Sequence, residues 1–154
     1  MCGIFGFVGQ PDKILTVRQT QKLTKLLFKL SESRGKEAAG LALMEKEKIA
    51  LIKKAAPASV LIKSQDYEKI WQNFSRENFE SLIGHARLVT NGSMSYHVNN
   101  QPVNKNGVIL VHNGIVVNDQ DLWSQFPTLN REAEVDTEII AALNQEIVTR
   151  GLGH

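Results

Sequence analysis

The sequence predicts a single domain of the α+β class, in which antiparallel strands pack against amphipathic helices. Short apolar runs recur along the chain, and turns typical of hairpins separate two pairs of them. Two longer segments carry apolar residues at helical spacing. With 154 residues, of which 42% are hydrophobic, the chain is long enough to bury one core. No linker, repeat or low-complexity segment divides it, so we expect one domain over residues 1–154.

The composition excludes several classes of function. Charged residues make up 22% of the chain and the net charge is +2, with no basic face interleaved with aromatic residues, so nucleic acid is not an expected partner. No stretch approaches the ~18 apolar residues that a membrane span needs. The single cysteine suits a reducing compartment, which predicts the cytoplasm. The four histidines and one cysteine lack ligand spacing, so we expect no metal site and no cofactor.

The N-terminus carries the most distinctive chemistry. The only cysteine, Cys2, follows the initiator Met1 directly. An unperturbed thiol has a pKa of about 8.5 and an α-amino group one of about 7.7–8.0. Once Met1 is removed, the amine of Cys2 could therefore accept the thiol proton, through a water. Residues 4–9 alternate apolar residues with glycine and predict a buried strand that holds this terminus in place. The alternative is that Cys2 is a small hydrophobic residue without a role.

The first helix is predicted from leucine spacing. Residues 10–12 form a turn in which Asp12 is a plausible cap, and a helix of about 18 residues follows. Residues 31–35 end this helix. The face expected to pack on the core carries four leucines: Leu23, Leu26, Leu27 and Leu30.

Two strands and two short helices follow. Residues 41–44 and 49–53 are predicted strands, joined by a solvated charged turn at residues 45–48. Two short helices are expected within residues 57–80. Their core stripe consists of Tyr67, Ile70, Trp71 and Phe74.

The second half of the chain begins with a predicted strand at residues 82–87, which is apolar until His85 and Arg87. A polar loop follows over residues 90–106. Two further strands, 107–112 and 115–117, are expected to form a hairpin around Asn113-Gly114.

Two helices complete the prediction. Residues 119–126 form a short helix, and Asp136 caps a longer one. The apolar face of the longer helix carries Ile139, Ile140, Leu143 and Ile147.

Five motifs occur in the order seen in a known family. They are Cys2-Gly3-Ile4-Phe5-Gly6, Arg34-Gly35 with Gly40, the run from Gly84 to Gly92, His112-Asn113-Gly114-Ile115, and Asp136-Thr137-Glu138. With these motifs the chain resembles the glutaminase domain of class II glutamine amidotransferases, in the N-terminal-nucleophile hydrolase superfamily. The resemblance implies a four-layer αββα sandwich with antiparallel sheets. Domains of this family continue for several more strands, so we expect this one to be truncated at its C-terminal end.

The resemblance also implies catalytic roles. Cys2 would be the nucleophile, and the oxyanion would be stabilised by the Asn113 side-chain amide and the Gly114 backbone N–H. From the residues alone, Asn113-Gly114 is also compatible with a simple type I′ turn.

Four further residues would bind substrate. Arg87 would bind the α-carboxylate of glutamine and Asp136 its α-ammonium, while Thr90 and Gly92 would line the pocket. The alternatives are a surface salt bridge for Arg87 and a helix N-cap for Asp136. Among the other motif residues, Glu37 is expected to be structural, as is Arg34.

Some positions depart from individual branches of the family. Leu88 and Asn91 stand where sugar-aminating members have Trp and His. The run from Asn99 to Pro102 is closer to the phosphoribosyl-transferring and asparagine-forming members.

The activity implied is hydrolysis of glutamine to glutamate and ammonia through a Cys2 thioester, without a cofactor. The ammonia would pass to an acceptor-amidating domain or partner protein, and a homo-oligomer is left open. The competing hypothesis is a non-catalytic module that binds glutamine or a protein partner. A protease built from Cys2 and His112 has no support from the flanking residues.

Overall fold

A four-stranded antiparallel sheet forms the centre of the fold. The computed structural model describes residues 1–9, 15–46, 48–75, 78–89 and 92–151. The strands are β1 (Gly3–Val8), β2 (Ala38–Glu45), β3 (Lys48–Lys54) and β4 (Phe79–Arg87). Their order in the sheet is β1-β4-β2-β3. The N-terminal strand is thus paired along its whole length with β4. The strand expected at residues 4–9 is present, but the prediction that it is buried is wrong: β1 is an edge strand, and Ile4 and Val8 are 43% and 84% exposed.

Three helices cover one face of this sheet. They are α1 (Val17–Ser31), α2 (Ala58–Leu61) and α3 (Gln65–Gln72). Because side chains alternate along a strand, Phe5, Leu41 and Leu82 project from the same face. Phe5 meets the ring of Phe28 edge-on, with centroids 4.8 Å apart. The main core therefore lies between the sheet and these helices.

The predicted aromatic stripe belongs to this core. Tyr67, Trp71 and Phe74 are buried, and Ile70 packs against them. Both short helices expected within residues 57–80 are present. The stripe is thus confirmed as core.

A two-stranded hairpin lies over the opposite face of the large sheet. Its strands are β5 (Val103–Lys105) and β6 (Val108–Leu110), and the helix α5 (Thr137–Thr149) packs on it. A Cβ added to Gly40 on the large sheet would stand 2.1 Å from the carbonyl oxygen of Gln101, just before β5. Helices, sheet, hairpin and helix follow one another in the αββα order. The α+β class with antiparallel sheets is confirmed.

The buried face of α1 differs from the prediction. Leu26 and Leu30 are 52% and 64% exposed, and the buried residues are instead Thr20, Thr24 and Phe28. Burial of the threonines is feasible because each hydroxyl donates to the carbonyl four residues earlier, at 3.1 and 2.9 Å. The N-cap is Thr16, which forms a capping box, while the expected cap Asp12 lies outside the described residues.

The predicted hairpin at Asn113-Gly114 is wrong. Residues 111–117 form no strand, and the hairpin turn lies at Asn106-Gly107, between β5 and β6. Both turn residues have positive φ, 49° and 89°, as a type I′ turn requires. Since two Asn-Gly pairs occur close together, the hairpin pattern alone could not choose between them.

The C-terminal helices and the charged turn also show local differences. The helix α4 (Asp119–Gln125) agrees with the prediction. In α5, Ile139 is buried, but Ile140 and Ile147 are 37% and 44% exposed. In the turn expected to be solvated, Glu45 is 5% exposed and belongs to β2. None of the helices among the described residues has the length and hydropathy needed to cross a membrane.

A first prediction tests the revised face of α1. We expect Phe28→Ala to lower the free energy of unfolding by about 3–5 kcal/mol, because it removes a fully buried ring that packs on β1. The matched change Leu30→Ala on the same helix should stay within about 0.5 kcal/mol. Urea unfolding followed by circular dichroism measures both. An equal loss of unfolding free energy in the two variants would mean that the leucine face of α1 is the buried one.

The buried His85 on β4 is the most unusual ionisable group of the fold. Its side chain is fully buried, and it lies beside Arg87 and the backbone of His112. Burial, together with the neighbouring charge of Arg87, lowers the pKa of His85 from 6.5 to about 4. His85 is therefore neutral at physiological pH.

A second prediction follows for acid stability. The unfolded chain takes up the His85 proton near pH 6.5 and the folded chain only near pH 4, so stability is lost as pH falls through this window. The loss should reach roughly 3 kcal/mol below pH 4. Urea unfolding at pH 7, 5 and 4 measures it, and the imidazole resonances of His85 should show no protonation above about pH 5. Titration of His85 near pH 6.5 would contradict this assignment.

Candidate active site

A cavity of about 360 Å³ opens at the N-terminus of β1. It brings together five of the seven predicted site residues: Cys2, Arg87, Asn113, Gly114 and Asp136. The other lining residues are Met1, Leu88, Gln101, His112, Ile115, Val135 and Thr137. Of the remaining two predicted residues, Gly92 is described but lies outside this lining, and Thr90 lies outside the described residues. The volume is in the range of small-molecule sites.

Cys2 is positioned by the pairing of β1 with β4. Gly3 lies opposite Ala86, which brings Cys2 next to the residues that follow β4. The backbone N–H of Leu88 donates to the Cys2 sulfur at 3.3 Å, and the sulfur lies 3.5 Å from the Leu88 carbonyl oxygen. The thiol thus faces a donor that stabilises a thiolate and an acceptor that holds a thiol.

The orientation of Asn113 follows from its contact with Cys2. Its side-chain oxygen accepts the backbone N–H of Cys2 at 3.0 Å. The other end of the same amide is therefore an NH₂ group, the donor that an oxyanion requires. With Met1 in place, the nitrogen of Cys2 is a peptide nitrogen and has no basic lone pair.

Gly114 packs closely against the ring of His112. A Cβ at this position would stand 2.6 Å from Nε2 of His112. The backbone N–H of His112 donates to Oε1 of Gln101 at 2.6 Å, and Nε2 of Gln101 donates to Thr137 at 3.2 Å. The buried Gln101 thus fixes the loop that carries Asn113 and Gly114.

Arg87 is buried at the end of β4, with 3% of its surface exposed, which excludes a surface salt bridge. Nη1 donates to the Asn100 side chain at 2.7 Å and Nη2 to the Gly92 carbonyl at 2.8 Å. Burial lowers the pKa of Arg87, and the charges of Cys2 and Glu37 oppose this shift. Gly92, which has a φ of 71°, thus holds the guanidinium through its carbonyl oxygen and is not among the residues that line the cavity.

Asp136 lies immediately before α5 and is 7% exposed. Its carboxylate accepts the Val116 backbone N–H at 2.6 Å and makes no side-chain cap with the helix. The N-cap alternative therefore holds for its position but not for its side chain. Arg87 and Asp136 give the cavity one cationic and one anionic group.

Several supporting residues were not singled out from the sequence. The backbone of Leu88 contacts the thiol, while Asn100 and Gln101 hold the arginine and the oxyanion loop. The sequence signal for Asn100 and Gln101 is the amide-rich run that precedes Pro102, although its polar composition predicts a loop. Asn99, Asn100 and Gln101 are buried, a placement that amide side chains adopt when they are hydrogen-bonded. Glu37 accepts the Val89 N–H, in agreement with the structural role predicted for it.

The sequence is similar to those of curated bacterial enzymes. Glutamine–fructose-6-phosphate aminotransferase (isomerizing) of Clostridium perfringens is 35% identical over 147 residues, covering 93% of this chain and 22% of the relative. The enzyme of the same name from Chlamydia muridarum is 32% identical over 146 residues, again covering 93% and 22%. This chain thus spans about a fifth of the length of these relatives. No protein-family model matches the sequence.

The fold is similar to that of a solved amidotransferase. Glutamine phosphoribosylpyrophosphate amidotransferase of Bacillus subtilis, solved with ADP and GMP, aligns with a TM-score of 0.52 and 24% identity. The alignment covers 92% of this chain and 28% of that protein. This likeness supports the N-terminal-nucleophile fold. In sequence, in fold and in the ordered motifs around the cavity, the chain is similar to the glutaminase domains of the class II glutamine amidotransferases.

Proposed function

We propose that this chain hydrolyses the side-chain amide of glutamine to glutamate and ammonia, through a thioester on Cys2. One observation carries the proposal. A single cavity is lined by the only thiol of the chain, an Asn-Gly pair of oxyanion donors, and an Arg and an Asp that match the two charges of an amino acid. We place the reaction in the cytoplasm, where a lone thiol stays reduced.

Arg87 and Asp136 would orient the substrate. The guanidinium binds the α-carboxylate and the Asp136 carboxylate binds the α-ammonium. Since Asn100 and Gly92 fix the guanidinium, and Val116 holds the aspartate, both groups are ordered before substrate arrives. Thr90 is proposed to lie beside the substrate, and Gly92 to act through Arg87.

The chemical step begins at the sulfur. With Met1 removed, the α-amine of Cys2 accepts the thiol proton and the sulfur attacks the amide carbon of glutamine. The carbonyl oxygen becomes an oxyanion, which the Asn113 NH₂ group and the Gly114 N–H stabilise. The proton passes to the leaving nitrogen, ammonia departs and a thioester remains. Water then attacks the thioester, which releases glutamate and restores the thiol.

The ammonia would be consumed outside this domain. The relatives are named as aminotransferases that act on fructose 6-phosphate, and this chain spans about a fifth of their length. We therefore propose that an acceptor-amidating domain or partner protein receives the ammonia.

A third prediction tests the nucleophile and its base together. A preparation that retains Met1 should release almost no glutamate, because the Cys2 nitrogen is then an amide and Met1 lies at the cavity. Trimming with methionine aminopeptidase should switch glutamate release on, with the new N-terminus verified by mass spectrometry.

Cys2→Ala is the control for this experiment, since it should stay folded and remain inactive after the same trimming. If the trimmed wild type also fails to release glutamate but binds glutamine, the non-catalytic module is the better description. Equal activity with and without Met1 would mean that the base lies elsewhere, with His112 the first candidate.

A fourth prediction tests the substrate clamp. Arg87→Lys should raise the KM for glutamine roughly tenfold or more, because an ammonium cannot make the two-pronged contact of a guanidinium. Arg34→Lys, at an exposed position outside the cavity, is the matched control and should leave KM unchanged. A thermal melt separates misfolding from lost binding. Unchanged KM and kcat in a folded Arg87→Lys variant would refute the clamp.

A further inference from the structure

A second, larger cavity runs along the outer edge of the main sheet. Its volume is about 730 Å³, and it extends beside β3 between the strand, the helices α2 and α3, and His97. It shares no lining residue with the candidate active site. Among the described residues, β3 pairs with β2 alone, so its other edge presents backbone groups without a neighbouring strand. We call this feature the β3 groove.

The middle of the β3 groove is apolar. Ala50, Leu51 and Ile52 from the strand and Leu61 and Ile70 from the helices line it. Edge strands are normally protected by charges, proline or a covering element, because an exposed edge can pair with another chain. Here the three central residues of β3 carry no charge, and protection by lysines is confined to the strand ends.

The lysines of the groove differ in their partners. Lys48 lies 3.1 Å from the Glu45 carboxylate, and Lys69 lies 3.9 Å from Asp66. Among the described residues, neither Lys53 nor Lys54 forms an ion pair with a carboxylate within 4.0 Å. The C-terminal end of β3, where Lys54 lies opposite Ala39, thus carries two lysines without an ion-pair partner among the described residues.

The surroundings of Lys53 disfavour its charge as long as no anion is present. Burial lowers the pKa of Lys53 to about 8, and the pKa of His97 is lowered by burial and by the charge of Lys53. A half-buried cation without a counter-ion favours the approach of an anion. Because consecutive residues point to opposite faces of a strand, Lys53 and Lys54 would each need a separate carboxylate.

We propose that the β3 groove binds an extended acidic segment of a partner protein as an added antiparallel strand. Two consecutive carboxylates of the segment would lie opposite Lys53 and Lys54, and apolar residues would lie opposite Ala50 to Ile52. Main-chain hydrogen bonds to the free edge provide affinity, and cross-strand charge pairs provide selectivity. The added strand would run antiparallel to β3, like every strand pair already in the sheet. The proposal does not depend on glutaminase activity.

A labelled peptide tests the proposal on the full chain. Fluorescence anisotropy compares the fluorescein-labelled peptide Glu-Glu-Val-Val-Val-Thr with its charge-reversed partner Lys-Lys-Val-Val-Val-Thr. We expect the acidic peptide to bind at least tenfold more tightly, and less tightly at high salt. Binding should also raise the pKa of Lys53, observed through its side-chain NMR signals. Equal binding of the two peptides, or no binding of either, would overturn the proposal.

Charge-reversal variants locate the binding. Lys53→Glu with Lys54→Glu should invert the preference between the two peptides. Lys54→Glu alone changes an exposed position and should weaken the acidic peptide in a folded protein. Lys22→Glu with Lys29→Glu on α1 changes the net charge equally outside the groove and should have no effect. Unaltered peptide binding in the groove variants, or full displacement by inorganic phosphate at equal ionic strength, would refute an added strand.

Discussion

The antiparallel pairing of β1 with β4 is the contact on which the candidate site depends. Six residue pairs, from Gly3↔Ala86 to Val8↔Ser81, hold the N-terminal strand at one edge of the four-stranded sheet. Chain termini are normally frayed, and this pairing removes that freedom from Gly3 onward, immediately after Cys2. The same register places the thiol beside Leu88, one residue beyond Arg87. The proposed nucleophile and the proposed carboxylate-binding Arg87 are thus positioned by one set of backbone hydrogen bonds.

Buried amides connect this strand pair to the second layer. Asn100 accepts a hydrogen bond from Arg87, which lies in the large sheet. Gln101 accepts one from the backbone of His112, which lies in the loop after β6. Each buried polar group costs free energy unless it is hydrogen-bonded, so these contacts favour one relative arrangement of the two layers. The buried His85 lies beside Arg87 and His112. Since it stays neutral, it adds no second cation next to the arginine.

The sequence indicates the positions of the candidate site more readily than it indicates local structure. Cys2 stands out by its place behind Met1, the resemblance to a known family adds Arg87 and Asp136, and the structure places all three in one cavity, while their roles stay predictions. The buried face of α1 is not evident from the sequence, because Thr20 and Thr24 look polar until their hydroxyls bond to the helix backbone. Likewise, an Asn-Gly pair encodes a tight turn without encoding which strands flank it. Helical spacing and turn chemistry are local signals, whereas burial is decided by the tertiary partner.

The contacts that Leu88 makes with Cys2 come from its backbone. This explains how position 88 can differ from the sugar-aminating members while the chain remains similar to them. Leu88 stands where those members carry Trp, yet its contacts with the Cys2 sulfur come from its N–H and carbonyl groups. Its side chain is 37% exposed at the rim of the cavity. Any residue other than proline that keeps the extended end of β4 supplies the same donor and acceptor to the thiol. The side chain at position 88 is therefore free to differ without moving the Cys2 sulfur.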